Sequence, residues 1–308
     1  MPRLEQRGLT IALEGDEPAR LAICMDAQVV APAYRFAAHH RCPLIHYVWD
    51  LPPWRLGAGR PDWIWFVGGQ FLRIPRPNGY PERRGYYSRL SYVAHRAREV
   101  WVPSAATRRE VEQRLDITPV RVPYCFDSDR FASQVAPRAR GTTLLCVSRL
   151  TPQKRHADVI RAAARFDPTL PVRIIGTGEE RERLQQLAVE LGVTLRIEGG
   201  LSDADVLDAY REAGVVVAPS IFEGFGLTPM EGIACGLPVV ASDIPTHREF
   251  LGDAPHYFPP QDVGGLVAAI ERARAAGPPS SDGLRELTID AAAERFSQRL
   301  RGRAAGRT

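Results

Sequence analysis

Lysine is almost absent from this chain. Its 308 residues include 40 Lys and Arg together, and Lys154 is the sole lysine among them. The formal charge of +4 therefore rests on arginine, which reads as a compositional bias rather than a nucleic-acid footprint. Against that background a single lysine asks for a reason. Cysteine is scarce too: Cys24, Cys42, Cys125, Cys146 and Cys235 form no CxxC pair and no zinc-type spacing with histidine. A disulfide scaffold is excluded and no metal is expected. No apolar run reaches the roughly 18 residues of a membrane span, and the polar start Met1–Thr10 lacks the apolar core of a signal peptide. The expected setting is the cytoplasm. Also missing are a GxxxxGK[ST] phosphate loop and a GxSxG nucleophile elbow. Gly176-Thr177-Gly178 lacks the third glycine of a dinucleotide loop, and Glu179 and Glu180 would repel a pyrophosphate there.

What is present is a composition 44% apolar and 25% charged, enough for about two domains with sizeable cores. From residue 142 onward short β-branched runs alternate with longer amphipathic ones. The runs Thr142–Val147, Val172–Ile175, Leu195–Ile197, Val215–Ala218 and Pro238–Ala241 predict parallel strands. Helix-period segments starting near Pro152, Glu179, Asp203, Pro229 and Thr246 supply the crossovers. The pattern predicts an α/β, Rossmann-like half. In the first half, strands are expected at Leu9–Leu13, Leu21–Met25, Leu44–Val48, Val100–Val102 and Val120–Val122, with helices over Val29–His40 and Ser104–Leu115. Residues 50–88, rich in Pro, Gly and Trp, read as a long loop region. Asp127–Gly141 reads as the linker between domains.

Two strand-to-helix junctions carry the chemistry. The first is Phe222-Glu223-Gly224-Phe225-Gly226-Leu227-Thr228-Pro229-Met230-Glu231-Gly232. Thr228 fits an N-cap, Pro229 the first helical position, and Glu231 the third residue of a capping box, so a cap with a tight turn is one reading. In the other, Gly224 and Gly226 bring backbone amides to an anion at the helix N-terminus while Glu223 and Glu231 accept hydrogen bonds from sugar hydroxyls. The second junction is Ser148-Arg149-Leu150-Thr151-Pro152-Gln153-Lys154-Arg155. Placed in a first helical turn, Lys154 and Arg155 would oppose the helix dipole unless an anion sits beside them; a solvated lysine is the alternative. The triplets Asp127-Ser128-Asp129, in the expected linker, and Asp203-Ala204-Asp205, in a helix's first turn, read as structural before metal ligands. The seven histidines, His39 and His247 among them, show no ligand spacing. Trp49, Trp54, Trp63 and Trp65 cluster ahead of an Arg- and Tyr-rich stretch, so region 49–98 reads either as core with solvated arginines or as a patch for an anionic acceptor or a membrane surface.

Taken jointly, Ser148-Arg149-Leu150 with Lys154, Glu223 and Glu231 seven residues apart, and Ala234-Cys235-Gly236-Leu237-Pro238-Val239-Val240-Ala241 resemble the family 4 retaining glycosyltransferases of GT-B fold. Val100-Trp101-Val102-Pro103-Ser104 and Val122-Pro123 fit the same pattern. The resemblance implies two Rossmann-like domains facing across a cleft. It implies a hexosyl unit moved from a UDP- or GDP-sugar with retention, without metal or resident cofactor. In that scheme Arg149 and Lys154 hold the diphosphate, and Glu223 with Gly224, Phe225, Gly226 and Leu227 grips the sugar. Thr228 takes phosphate, Glu231 the ribose hydroxyls, and the backbone near Glu198 and Gly199 lines the base. Glu223, Arg149 and Lys154 are the expected catalytic set.

The first half departs from the family: Met1–Glu14 offers no Gly-rich loop, and Trp49 and Asp50 stand where a histidine is usual. We therefore expect a reduced acceptor-side domain over 1–135, a nucleotide-sugar domain over 136–280, and a C-terminal helix over 281–308 packing back on the first. Asp26, Asp50 and Trp54 are the acceptor-side candidates. The acceptor itself, whether saccharide, lipid-linked or small molecule, is open, and nucleic acid is not an expected partner. A nucleotide-sugar binding protein without turnover and a sugar-nucleotide epimerase are the rival readings.

Overall fold

In the computed structural model the described residues are 21–25, 30–51, 63–67, 70–74, 86–132 and 141–304. The expected strand Leu9–Leu13 and the candidates Asp26 and Trp54 lie outside them. The chain forms two compact units, one of residues 1–124 with 292–308 and one of residues 125–291. The sequence had pointed to divisions after 135 and 280. The first division instead precedes the short helix Ser128–Ala132, whose Phe131 stacks on Phe126 and meets Tyr210 edge-on. Those contacts bind the expected linker into the second unit.

In chain order the first unit contains β1 (Ala22–Cys24), β2 (Leu44–Tyr47), β3 (Trp63–Val67), β4 (Gln70–Ile74), β5 (Glu99–Val102) and β6 (Val120–Arg121). Strands β1, β2, β5 and β6 form a parallel sheet in the order β1-β2-β5-β6. All four side chains of β2 are buried, as both faces of a parallel sheet demand. One face lies under Val30 and Ala37 of the helix Val30–His39. On the other, Ile45, Tyr47, Trp101 and Val122 meet Phe296 of the helix Ile289–Ala304. Ser104 caps the helix Ala105–Leu115 by accepting the Thr107 amide at 3.0 Å, and Asp116, at φ 56°, ends it.

The region expected to be one long loop holds an antiparallel hairpin, β3 with β4. Its Phe66 and Phe71 pack on Tyr34, so an aromatic cluster supplies the order that periodicity did not announce.

The second unit is a six-stranded parallel sheet built from β7 (Thr143–Val147), β8 (Val172–Ile175), β9 (Leu195–Glu198), β10 (Ala213–Ala218), β11 (Val239–Ser242) and β12 (His256–Phe258). The strand order is β12-β11-β10-β7-β8-β9. Five of these are the expected strands; β12, only three residues long, went unread. The helices His156–Phe166 and Val263–Ala275 bury Val159, Ile160, Ala163, Leu266 and Ile270 against Leu144, Ile174 and Val217. The order reverses between β7 and β10: the chain winds outward from β7 through β9, then returns to β7's other side. At such a reversal the connections leave in opposite directions and open a crevice at the strands' carboxyl ends. Among the described residues no helix is long and apolar enough to cross a membrane.

Candidate functional site

The exits of β10, β7, β8 and β9 stand side by side along the carboxyl edge of the second sheet. They carry, in that order, the Glu223 loop, the Lys154 loop, Gly176-Thr177-Gly178 and Glu198-Gly199. Backbone bonds lace these exits together. The Ile221 amide donates to the Gln153 carbonyl at 3.0 Å, Leu150 to Thr177 at 2.8 Å and Gly176 to Glu198 at 2.7 Å. A Cβ at Gly178 would sit 2.3 Å from the Leu150 carbonyl oxygen, so only glycine lets the β8 exit lie against the β7 exit.

At the reversal point Lys154 Nζ donates to Glu223 Oε1 at 2.6 Å, with side-chain exposures of 14% and 17%. Lys154 is not in the first turn of an α-helix, as its spacing had suggested. It closes the 3-10 turn Pro152–Lys154, and Arg155, at φ 55°, separates that turn from the helix His156–Phe166. The extra residue turns the lysine toward β10, so its partner is a carboxylate and not a helix dipole. Burial alone would push the Glu223 carboxyl up, but the Lys154 ammonium, with hydrogen bonds from Lys154 and Ser220, holds it below its ordinary value. Glu223 is therefore ionised at neutral pH.

The helix after Glu223 begins two residues earlier than expected. It spans Leu227–Ala234, and its N-cap is Gly226 at φ 83°, a left-handed conformation that suits glycine. The Thr228 cap and the Glu231 capping box are not formed. Instead the Thr228 hydroxyl donates to the Val147 carbonyl, at the last residue of β7, and the Glu231 carboxylate accepts the Tyr210 hydroxyl. Thr228 thus ties the helix start to β7, leaving its amide rather than its hydroxyl proton for a ligand. Burial raises the Glu231 carboxyl, against the Tyr210 hydrogen bond and Arg130.

The remaining expected residues divide clearly. Arg149 is exposed on the β7 exit and ion-pairs with no described residue. Phe225 is buried edge-on against Phe250 at 4.6 Å, so only its backbone faces the turn, while Leu227 is 44% exposed. Gly224 is half-buried. The Glu198 carboxylate is taken by Arg173 at 2.6 Å and Arg196 at 2.7 Å, which leaves backbone for a ligand. Asp50 follows β2 in the first unit. Asp129, expected in a linker, lies in the first turn of the helix Ser128–Ala132, while Asp205 forms a capping box with Ser202 at the expected helix start. Among the described residues no group of three or more His, Cys, Asp or Glu could hold a metal ion.

Sequence reasoning missed Thr246, His247 and His156. Thr246 donates to the Glu223 carbonyl at 2.7 Å, and a Cβ at Gly226 would sit 3.2 Å from His247 Cδ2. His156 Nε2 lies 2.9 Å from Ser148 Oγ at the β7 exit. The signal was available for the first two, since both follow β11, the strand beside β10.

Residues 127–283, just over half of the chain, match the family Glycosyl transferases group 1. The phosphatidyl-myo-inositol mannosyltransferase of Mycolicibacterium smegmatis is 35% identical over 179 residues, 54% of this chain and 46% of the relative. The O-antigen chain mannosyltransferase RfbU of Salmonella typhimurium is 25% identical over 205 residues, 64% of this chain and 58% of the relative. The chain thus spans about half the length of these curated relatives. Among solved structures, HepE of Anabaena with UDP and glucose superposes with a TM-score of 0.72 at 17% identity, over 92% of this chain and 78% of that one. Sucrose-phosphate synthase of Thermosynechococcus elongatus gives 0.71 at 19% identity, over 93% and 74%. These likenesses give the fold, GT-B. With its matched segment containing both junctions, the chain belongs to the group 1 glycosyl transferases, of the family 4 type that its motifs resemble.

Proposed function

We propose that the protein transfers a hexosyl unit from a UDP- or GDP-sugar to an acceptor, with retention at the anomeric carbon and without a metal. The observation that carries this reading is the Lys154–Glu223 pair, 2.6 Å apart between the exits of β7 and β10 and just ahead of the helix Leu227–Ala234. In the free site the two charges neutralise each other. A nucleotide sugar offers each a better partner: the diphosphate for the ammonium, the sugar hydroxyls for the carboxylate. The first amides of Leu227–Ala234 add the partial positive charge of a helix N-terminus.

As the sugar–oxygen bond breaks, negative charge grows on the departing diphosphate. Lys154, and Arg149 on the same strand exit, would stabilise it as a divalent ion would. Glu231 and the backbone at Glu198 and Gly199 remain the assignments for ribose and base. Mannose is the first sugar to try, because the matched relatives are named mannosyltransferases. Peripheral contact with an anionic membrane through region 49–98 is part of the proposal. It is supported by the arginine-rich sequence there and by Val67 and Leu72 of the hairpin, 59% and 53% exposed.

The test is incubation with UDP- and GDP-sugars in EDTA, with saccharide and inositol-lipid acceptors, followed by NMR of the products. A glycoside of unchanged anomeric configuration is expected. Saturable nucleotide binding without transfer or sugar-donor hydrolysis would make this a binding protein. A sugar altered while still on its nucleotide would make it an epimerase.

A further inference from the structure

The segment from Ser242 to Phe250 grips the loop 220–226 at four places. Ser242 Oγ donates to the Ser220 carbonyl, Thr246 Oγ1 donates to the Glu223 carbonyl at 2.7 Å, the His247 ring lies against Gly226, and Phe250 packs on Phe225. Three of these contacts are ordinary packing and hydrogen bonding. His247 is different. It is fully buried, and its Nδ1 lies 2.8 Å from the Ser242 carbonyl oxygen. A carbonyl only accepts, so Nδ1 carries the proton and Nε2 is a bare acceptor. That Nε2 is buried without a hydrogen-bond partner. An apolar ring would fill the same space without an unmet acceptor, and here the unmet acceptor lies beside the Gly226 turn of the site.

We infer that His247 is the positioning residue of this site: it braces the Gly226 turn and becomes the hydrogen-bonding partner of Glu223 when a bound diphosphate draws the Lys154 ammonium away. This rests on the proposed function, which supplies the diphosphate. The charged and titratable groups around the ring are few. Glu223 comes from the β10 exit, Lys154 from the β7 exit, and Asp243 precedes the histidine's own helix, already paired with Arg248 at 2.7 Å. From β12 the Tyr257 hydroxyl donates to the His247 carbonyl at 3.2 Å. Burial keeps the imidazole neutral and Lys154 acts in the same direction, whereas Glu223 favours the charged ring. Once the ammonium turns to phosphate, Glu223 is a buried carboxylate short of a cation. A proton taken from water onto Nε2 restores the balance, and Nε2–H then donates to the carboxylate. Binding of a nucleoside diphosphate is thus coupled to proton uptake.

The coupling is measurable by titrating the full chain with UDP and with GDP by calorimetry, in buffers of different ionisation enthalpy near neutral pH. The wild type should take up a fraction of a proton on binding. His247→Asn keeps a donor toward the Ser242 carbonyl but carries no titrating nitrogen. It should bind without proton uptake and about tenfold or more weakly, the scale of one lost hydrogen bond to a charged group. Where that variant fails to fold, His247→Gln carries the same test, with uptake again lost. Nucleotide binding with the same uptake in wild type and a folded variant, or with none in the wild type, overturns the role of His247 and leaves the proposed function standing. Absence of UDP and GDP binding to the wild type overturns both.

Discussion

Lys154 and Glu223 are paired with each other in the free site, so changing one alters the other's environment. Lys154→Ala should weaken UDP or GDP binding by about 1.5–3 kcal/mol, measured calorimetrically. It should also destabilise the fold, because it strands a buried carboxylate. Adding Glu223→Gln should return stability without returning affinity, which denaturant unfolding of the double variant would reveal. Affinity unchanged in Lys154→Ala would reduce the pair to a structural ion pair. Two other buried residues should add to acid sensitivity. His46 has both ring nitrogens without partners, and burial lowers its pKa from 6.5 to about 4. His156 is lowered to about 4 by burial and then by Lys154. The unfolded chain binds these protons first, so stability should fall as pH drops from 6.5 toward about 4 and level off below. Each histidine accounts for on the order of 3 kcal/mol of that loss. Urea midpoints across the range should drop less steeply for His46→Leu; an identical slope would locate the acid sensitivity elsewhere.

Among the elements, what could be read in advance tracks how local the cause is. The central strands of the second sheet announced themselves because both their faces are buried, as in the six consecutive buried residues of β10 and the four of β11. The helix start at Leu227 was misplaced by two residues. Thr228 and Glu231 satisfy a local capping rule that distant groups override: the Val147 carbonyl claims the hydroxyl and Tyr210 occupies the carboxylate. Lys154 was correctly marked by its rarity, yet its partner lies 69 positions away, beyond any periodicity. The hairpin β3–β4 escaped for a similar reason, since Phe66 and Phe71 gain order from Tyr34 on another element. The left-handed cap at Gly226 yields a test at this scale. Gly226→Ala combines a disfavoured φ of 83° with a Cβ 3.2 Å from the His247 ring. It should cost at least about 1 kcal/mol of stability and weaken nucleotide binding further than that loss explains. Thermal unfolding with and without UDP would separate the two effects. A variant binding like wild type would detach the turn from the ligand.

The molecule as a whole is two cores joined by a chain that passes from one to the other and back, so its unfolding should be divisible. The first unit keeps Tyr47 and Trp101 covered by Phe296, at ring-centroid distances of 6.4 and 5.2 Å. Glu99 accepts from Trp101 Nε1 at 2.7 Å and pairs with Arg299 at 3.1 Å. Phe296→Ala should remove about 2–4 kcal/mol from the first unit alone. In calorimetry one transition should shift down while the nucleotide-stabilised one stays. A common shift of both would mean that the cores melt together.

That return passage has a consequence for biosynthesis. Residues 125–291 form one uninterrupted piece, whereas the earlier unit needs residues from beyond position 291 to cover one face of its sheet. On a translating ribosome the later-encoded core can therefore mature before its predecessor. Until the helix carrying Phe296 emerges, the aromatic face of Tyr47 and Trp101 stays open to water and to any chaperone that recognises it.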